Sequence, residues 1–135
     1  MADSSGLTKD VGWELGVRRT AHAPLETTWD FLIGEGLGIW LGATKLPSVA
    51  HEPYETTDGT HGELRSRVDG QRVRLTWQPA GWEHDSTLQL TVLPASDGTT
   101  IAFHQERLAG PDERETMLEH WTAVADRLVD ALDEE

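Results

Sequence analysis

The C-terminal segment carries an apolar stripe with the spacing of one long α-helix, and this feature limits the possible folds most. After Pro111, apolar side chains recur every three or four residues; they are Met117, Leu118, Trp121, Val124, Ala125, Leu128 and Leu132. Pro111 suits the first turn, and the acidic residues after it favour the positive end of the helix dipole. Such a helix, about 30 Å long, must bury its stripe against an element of similar size.

The segments before this helix alternate between apolar and polar residues, as β-strands do. The predicted strands cover Trp13 to Ala23, an edge strand near His51 to Thr56, a hairpin around Asp69-Gly70, Thr87 to Leu93 and Thr99 to Leu108. In the hairpin, one face is predicted to be apolar and the other cationic. The apolar face would hold Leu64, Ser66, Val68, Val73, Leu75 and Trp77, and the cationic face, called here the arginine face, would hold Arg65, Arg67, Arg72 and Arg74.

Two short helices are predicted between the first strand and the edge strand. Pro24 begins one that contains Trp29, and Ile39 to Leu41 form the second. A sheet with one apolar face must be covered, and the long helix is the element large enough to do so. We therefore predict an α+β fold in which a curved antiparallel sheet wraps around the C-terminal helix. The length suits one domain, with residues 1–11 as a flexible leader and residues 12–135 as the domain.

The charge and composition exclude several classes of function. The chain has 24 acidic and 11 basic residues and a net charge of −13, whereas nucleic acids and anionic membranes bind basic surfaces. It contains no cysteine, which excludes disulfides, thiolate metal sites and a cysteine nucleophile. The segment 1–10 is not apolar enough for a signal peptide, and no apolar run has the length of a membrane span. A cytoplasmic location is predicted.

Aromatic and polar side chains on inward faces are the candidate binding residues. Four of the six tryptophans, listed below, fall on inward faces, where they either fill the core or line a pocket. Gln105 shares a face with Ile101 and Phe103 and needs a hydrogen-bond partner there, which could be a ligand, a buried water or another side chain. Arg19 either points inward to an acid or reaches solvent. Trp82, in a loop, is a candidate lid over a pocket.

Motifs that would indicate catalysis or metal binding are missing from the sequence. The six histidines have no metal-ligand spacing, no serine lies in a nucleophile elbow, and no glycine-rich phosphate loop follows a strand. No metal, cofactor or catalytic residue is therefore predicted. His84 lies between Glu83 and Asp85, and their charges should raise its pKa.

The pattern Ala23-Pro24, Trp29-Asp30-Phe31-Leu32 and Trp40-Leu41-Gly42 resembles the beginning of bacterial relatives of the activator of heat-shock protein 90 ATPase. The segments Gly98 to Leu108, His120-Trp121 and Arg127-Leu128 resemble their end. These proteins belong to the START-related helix-grip (SRPBCC) superfamily. The resemblance covers about residues 12–132 and implies a helix-grip fold with a cavity between the sheet and the long helix. A histidine common near the end of the last strand in such proteins is replaced here by Gln105.

The resemblance implies intracellular binding of a hydrophobic or amphipathic small molecule in that cavity. The expected ligand-binding residues are Trp29, Trp40, Leu75, Trp77, Phe103, Gln105, Met117, Trp121 and Val124. Two alternatives stay open, a cofactor-free cyclase or hydrolase that uses the same cavity and a protein-interaction module related to chaperone ATPase activators. A homodimer in which the arginine face meets the acidic helix of a second copy is a further hypothesis, because residues 111–135 carry nine acids and two arginines.

Overall fold

The computed structural model describes residues 7–8 and 12–134, and within them seven antiparallel strands form one sheet that packs against three helices. The sheet order is β1-β2-β7-β6-β5-β4-β3. The strands are β1 (Leu7–Thr8), β2 (Gly12–Ala21), β3 (Pro53–Glu55), β4 (His61–Val68), β5 (Arg72–Trp77), β6 (Ser86–Ala95) and β7 (Gly98–Leu108). The helices are α1 (Leu25–Ile33), α2 (Leu37–Trp40) and α3 (Pro111–Asp133).

Alternation along the strands builds the inner face of the sheet, as predicted. Because directly opposite residues of antiparallel strands share a face, the pairing aligns buried side chains in rows across the sheet. One row runs through Leu64, Leu75, Leu88, Gln105 and Leu15, and the next runs through Val73, Leu90, Phe103 and Val17. The predicted α+β architecture with a curved antiparallel sheet around the long helix is confirmed.

The stripe of α3 closes this inner face. Trp121 and Leu128 are fully buried, and Met117 and Val124 are nearly so. On the opposite side of α3, Asp126 lies 2.9 Å from the Nε of Arg19. Arg19 lies opposite Ile101 in the register, yet its side chain is 41% exposed because it reaches past the sheet to this carboxylate. Arg19 therefore anchors the outside of α3 and takes no part in the core.

The hairpin of β4 and β5 departs from the predicted faces. The register shifts between Leu64 and Ser66, and the extra residue of this bulge reverses the alternation that follows. The resulting pairs are Ser66 with Arg74, Arg67 with Val73, and Val68 with Arg72. The placement of Ser66 and Val68 on the apolar face is therefore wrong, and so is the placement of Arg67 on the arginine face.

The reversed alternation turns Arg67 toward the inner side of the sheet. There its guanidinium donates hydrogen bonds to the Pro47 carbonyl oxygen, at 3.1 Å, and to the Asp69 carboxylate, at 2.7 Å. These two acceptors satisfy a cation that is only 17% exposed. Only Arg65, Arg72 and Arg74 remain on the arginine face.

The predicted leader, residues 1–11, lies outside the described residues except for Leu7–Thr8, which pair with β2. None of the described helices combines the length and the apolar character that a membrane span requires.

Candidate functional site: a tryptophan cleft

A cleft of about 340 Å³ opens at one end of the core, where β5, α2 and α3 meet. We call it the tryptophan cleft. It is lined by Gly38, Ile39, Trp40, Leu41, Gly42, Asp58, Thr60, Trp77, Pro79, Trp82, Met117 and His120. Its volume lies at the lower end of the range for small-molecule sites, about 300–1,000 Å³. Most of its lining side chains are apolar or aromatic, as in sites of that kind.

Trp77, at the end of β5, forms the central wall of the cleft. Its ring meets that of Trp82 at 86°, with the ring centroids 5.5 Å apart, and it contacts the rings of Trp121 and His120 at 5.3 and 6.1 Å. Trp77 is 5% exposed, whereas Trp82 is partly exposed. Two nearly perpendicular indole planes therefore line the cleft, one fixed in the sheet and one carried by a loop.

The indole N–H groups around this region differ in their partners. Trp40 donates to the Leu32 carbonyl oxygen at 2.8 Å, and Trp121 donates to the Gln105 side-chain oxygen at 2.7 Å. The Nε1 atoms of Trp29 and Trp77 are buried and have no hydrogen-bond partner among the described residues. Of these two tryptophans, Trp77 lines the cleft. A buried donor without an acceptor costs about 1–3 kcal/mol. A ligand that supplies an acceptor at this position would remove that cost and bind more tightly.

The loop after β5 places Trp82 in the lining of the cleft, and its predicted role as a lid stays a prediction. The His84 ring stacks on Trp82 with centroids 4.9 Å apart, and the Gln78 side-chain amide donates to the Trp82 carbonyl oxygen at 2.6 Å. His84 Nε2 lies 2.9 Å from a carboxylate oxygen of Glu113 on α3, and its Nδ1 lies 2.8 Å from the Asp85 carbonyl oxygen. One imidazole therefore connects the Trp82 loop to the first turn of α3.

Both ring nitrogens of His84 face acceptors, which favours the doubly protonated imidazolium. Burial by itself would lower the pKa of His84, but the hydrogen bond to Glu113, helped by the Asp85 carbonyl oxygen and by the charges of both acids, raises it above its usual value. The predicted direction is confirmed, but the main group that raises the pKa is Glu113, which is distant in sequence; of the two neighbouring acids named in the prediction, Asp85 contributes and Glu83 is not among the causes.

Two titratable side chains line the cleft itself. Hydrogen bonds from the Thr56 hydroxyl and the Thr60 backbone N–H lower the pKa of Asp58, so this exposed carboxylate stays ionised. Burial of the His120 ring against aromatic neighbours lowers its pKa, so it is neutral at pH 7. The cleft therefore presents one fixed negative charge, and no lysine or arginine is among its lining residues.

The ligand-binding residues predicted from the sequence divide into two groups. Trp40, Trp77 and Met117 line the tryptophan cleft. The others lie in the adjoining hydrophobic core and are at most 4% exposed; they are Trp29, Leu75, Phe103, Gln105, Trp121 and Val124. The Phe103 ring on β7 stacks on the Trp121 ring on α3, with the ring centroids 4.9 Å apart, so the sheet and α3 contact each other directly here.

Gln105 finds its partners among side chains, one of the three alternatives left open by the sequence. Its amide nitrogen donates to the Ser86 hydroxyl at 2.9 Å, and its oxygen accepts the Trp121 N–H. The Ser86 hydroxyl in turn donates to the Trp77 carbonyl oxygen at 2.8 Å. This network connects β7, β6, β5 and α3 and fixes the backbone on which Trp77 stands.

Sequence reasoning missed Ile39, Asp58 and Thr60 as lining residues. Asp58 and Thr60 lie in the turn between β3 and β4, and only the sheet order brings that turn beside β5. The pair Asp58-Gly59, which is typical of a turn, was the available signal, but the distance from Asp58 to the tryptophans is set by the tertiary fold.

The charges of the hairpin are largely compensated within the chain. Arg74 contacts Glu106 at 2.9 Å and the Gln89 side-chain oxygen at 3.1 Å, and Arg65 contacts Glu63 at 3.4 Å. The arginines therefore have less need of acidic partners from a second copy, which weakens the argument for the homodimer. The homodimer stays a prediction.

The comparisons with known proteins agree with this fold. A model of the family described as "Activator of Hsp90 ATPase homolog 1-like protein" matches residues 42–133. No functionally curated protein matches the chain.

Solved structures with the same fold cover most of the chain at low identity. The crystal structure of DynU16, a protein in the dynemicin biosynthetic locus, has a TM-score of 0.77 and 17% identity over 89% of this chain, which spans 47% of that protein. Protein CV1439 from Chromobacterium violaceum has a TM-score of 0.69 and 21% identity, over 89% of this chain and 96% of that one. The Aha1 dimer from Colwellia psychrerythraea has a TM-score of 0.70 and 17% identity, over 89% and 96%. At these identities the likeness establishes the fold.

Proposed function

The chain belongs to the Activator of Hsp90 ATPase homolog 1-like family, and from this premise we propose that it binds an apolar or amphipathic small molecule in the tryptophan cleft. The observation that carries the proposal is Trp77, a side chain that lines the cleft while its buried indole N–H lacks an acceptor. Apolar walls with a few placed polar groups are typical of small-molecule sites.

The walls supply the affinity in this proposal and Trp77 supplies the orientation. Trp40, Trp82 and Met117 desolvate the apolar part of the ligand. An oxygen of the ligand accepts the Trp77 N–H and replaces the bond that the protein leaves unmade. Because the Trp77 nitrogen is buried, a neighbouring side chain must move before the ligand can reach it, and the Trp82 ring, whose centroid lies 5.5 Å from that of the Trp77 ring, is partly exposed.

Reaction chemistry in the same cleft is the weaker alternative. A general base needs a proton to take within hydrogen-bond reach, and an activated nucleophile needs a base beside it. Within residues 12–134, no hydrogen bond joins His120 to a hydroxyl or a carboxylate, and no hydrogen bond joins Asp58 to His120.

Gly38 offers a direct test because it lines the cleft and has room for a side chain. A Cβ built at Gly38 meets no heavy atom within 4 Å. Gly38→Phe should therefore be tolerated without backbone strain and should narrow the cleft that Gly38 lines, whereas Gly38→Ala should leave it open. The probe is N-phenyl-1-naphthylamine, a neutral dye whose emission rises in apolar sites.

We expect the wild type and Gly38→Ala to enhance the dye emission saturably, with energy transfer from tryptophan, and Gly38→Phe to lose most of this binding. Equal melting temperatures of the three proteins would show that folding is unchanged. Saturable binding that is the same in Gly38→Phe and Gly38→Ala would contradict the proposed site, and no binding to the wild type would contradict the proposed function.

A further inference from the structure

We infer that the tryptophan cleft selects organic cations, meaning amphipathic molecules with an oxygen at the buried end and an alkylammonium group at the outer end. This inference rests on the proposed function and deepens it, because it names the chemical class of the ligand. It is carried by the arrangement of indole rings and of one carboxylate in the lining.

The rings provide the first step. An alkylammonium group binds the faces of indole rings, and tryptophan is the best aromatic partner for a cation. Trp77 and Trp82 stand at 86° to each other, and Trp40 also lines the cleft. His84 covers one face of Trp82 at 4.9 Å, and its charge is balanced by Glu113 at 2.9 Å.

The charges provide the second step. Asp58 lies in the cleft lining, and its carboxylate is held in place by Thr56 and the Thr60 N–H. His120, the other titratable lining residue, is kept neutral by its burial against aromatic rings. With no lysine or arginine in the lining, an anionic head group would meet repulsion and find no cation to pair with.

The third step is the difference in burial between Trp77 and Asp58, which determines which end of the ligand each residue contacts. The Trp77 nitrogen is buried and calls for an acceptor, whereas Asp58 is exposed at the rim. A molecule that places a hydroxyl or carbonyl oxygen at Trp77 and its ammonium group near Asp58 and Trp82 satisfies both positions. A fatty acid fits less well, because its only oxygens carry the charge: at Trp77 the carboxylate would be buried without a cation among the lining residues, and at the rim Asp58 would repel it.

The test uses three probes that share one carbon chain and one terminal hydroxyl: (8-hydroxyoctyl)trimethylammonium, octane-1,8-diol and 8-hydroxyoctanoate. Binding is measured by tryptophan fluorescence in about 150 mM NaCl, which screens attraction to the distant acidic surface. We expect the cation to bind about fivefold more tightly than the diol, as a cation–π contact at a partly exposed site provides, and the carboxylate to bind more weakly than the diol.

Two variants locate the preference. Asp58→Asn should reduce the advantage of the cation over the diol, whereas Asp97→Asn, the same charge change in the exposed β6–β7 turn, should leave that advantage unchanged. Trp82→Leu should also reduce the advantage of the cation. Because Trp82 lies in a loop and the substitution leaves the Asp58 turn unaltered, this variant is a second test even if Asp58→Asn disturbs that turn.

The outcomes separate the two claims. If the diol binds and the cation binds no better in the wild type, or if Asp58→Asn and Asp97→Asn behave alike, the inference is overturned while the proposed function stands. If none of the three probes binds, the proposed function itself is overturned.

Discussion

Replacing Gln105 with methionine tests whether the buried amide network supports the site. Methionine has a similar shape but cannot accept the Trp121 N–H, now 2.7 Å from the Gln105 oxygen, in a place where both residues are 0% exposed. The orphaned donor costs about 1–3 kcal/mol. Ser86 loses only the bond that it accepts, since its hydroxyl still donates to the Trp77 carbonyl oxygen.

We expect a net loss of about 2 kcal/mol in the free energy of unfolding, because the added apolar burial offsets part of these costs. For a chain of this length the melting temperature should fall by about 7 °C. Urea denaturation followed by tryptophan fluorescence measures the change as a shift in midpoint at constant slope.

Trp121→Phe provides the matched control, since phenylalanine has no donor to orphan. If the network exists as described, Gln105→Met should cost at least about 1 kcal/mol less in the Trp121→Phe background than in the wild type. Costs that simply add, or a Gln105→Met variant as stable as the wild type, would refute the reasoning.

Three further predictions concern the Trp82 loop, the sheet and self-association. Removing the imidazole with His84→Gln should destabilise the fold below about pH 6.5, and the difference from the wild type should shrink as the pH rises through the raised pKa, because only the protonated ring pairs with Glu113; urea titrations across pH check this, and a pH-independent difference would contradict it. Gly62→Ala should cost about 1–3 kcal/mol because its Cβ would lie 2.1 Å from the Thr76 carbonyl oxygen, while Gly38→Ala should cost nothing in the same melting experiment; equal effects would argue against this packing. If the predicted homodimer forms, sedimentation should show it at low salt and lose it at high salt, whereas a monomer at both would remove the hypothesis.

The periodic elements were predictable because each needs only local information. The stripe of α3 and the alternation of β2, β6 and β7 predicted the architecture and the burial of Trp121 and Gln105. The bulge after Leu64 was not predictable, because an alternating sequence gives no sign of an extra residue on one strand. It moved Arg67 from the outer face to the inner side of the sheet.

The candidate site was predictable only in part for a related reason. Tryptophan is large enough to be recognised as buried, so Trp40 and Trp77 were selected correctly as inward-facing residues. Whether a buried ring lines a cleft or packs in the core depends on its tertiary neighbours. The same holds for Asp58 and for the Glu113–His84 pair, whose members are far apart in the sequence.

The indole N–H resonances of the six tryptophans test the central claim most directly. In ¹H–¹⁵N correlation spectra titrated with octane-1,8-diol, assigned through single Trp→Phe variants, the Trp77 resonance should move as its nitrogen gains an acceptor. The Trp121 resonance should stay, because its nitrogen already donates to Gln105. Saturable binding that leaves the Trp77 resonance in place would contradict the account.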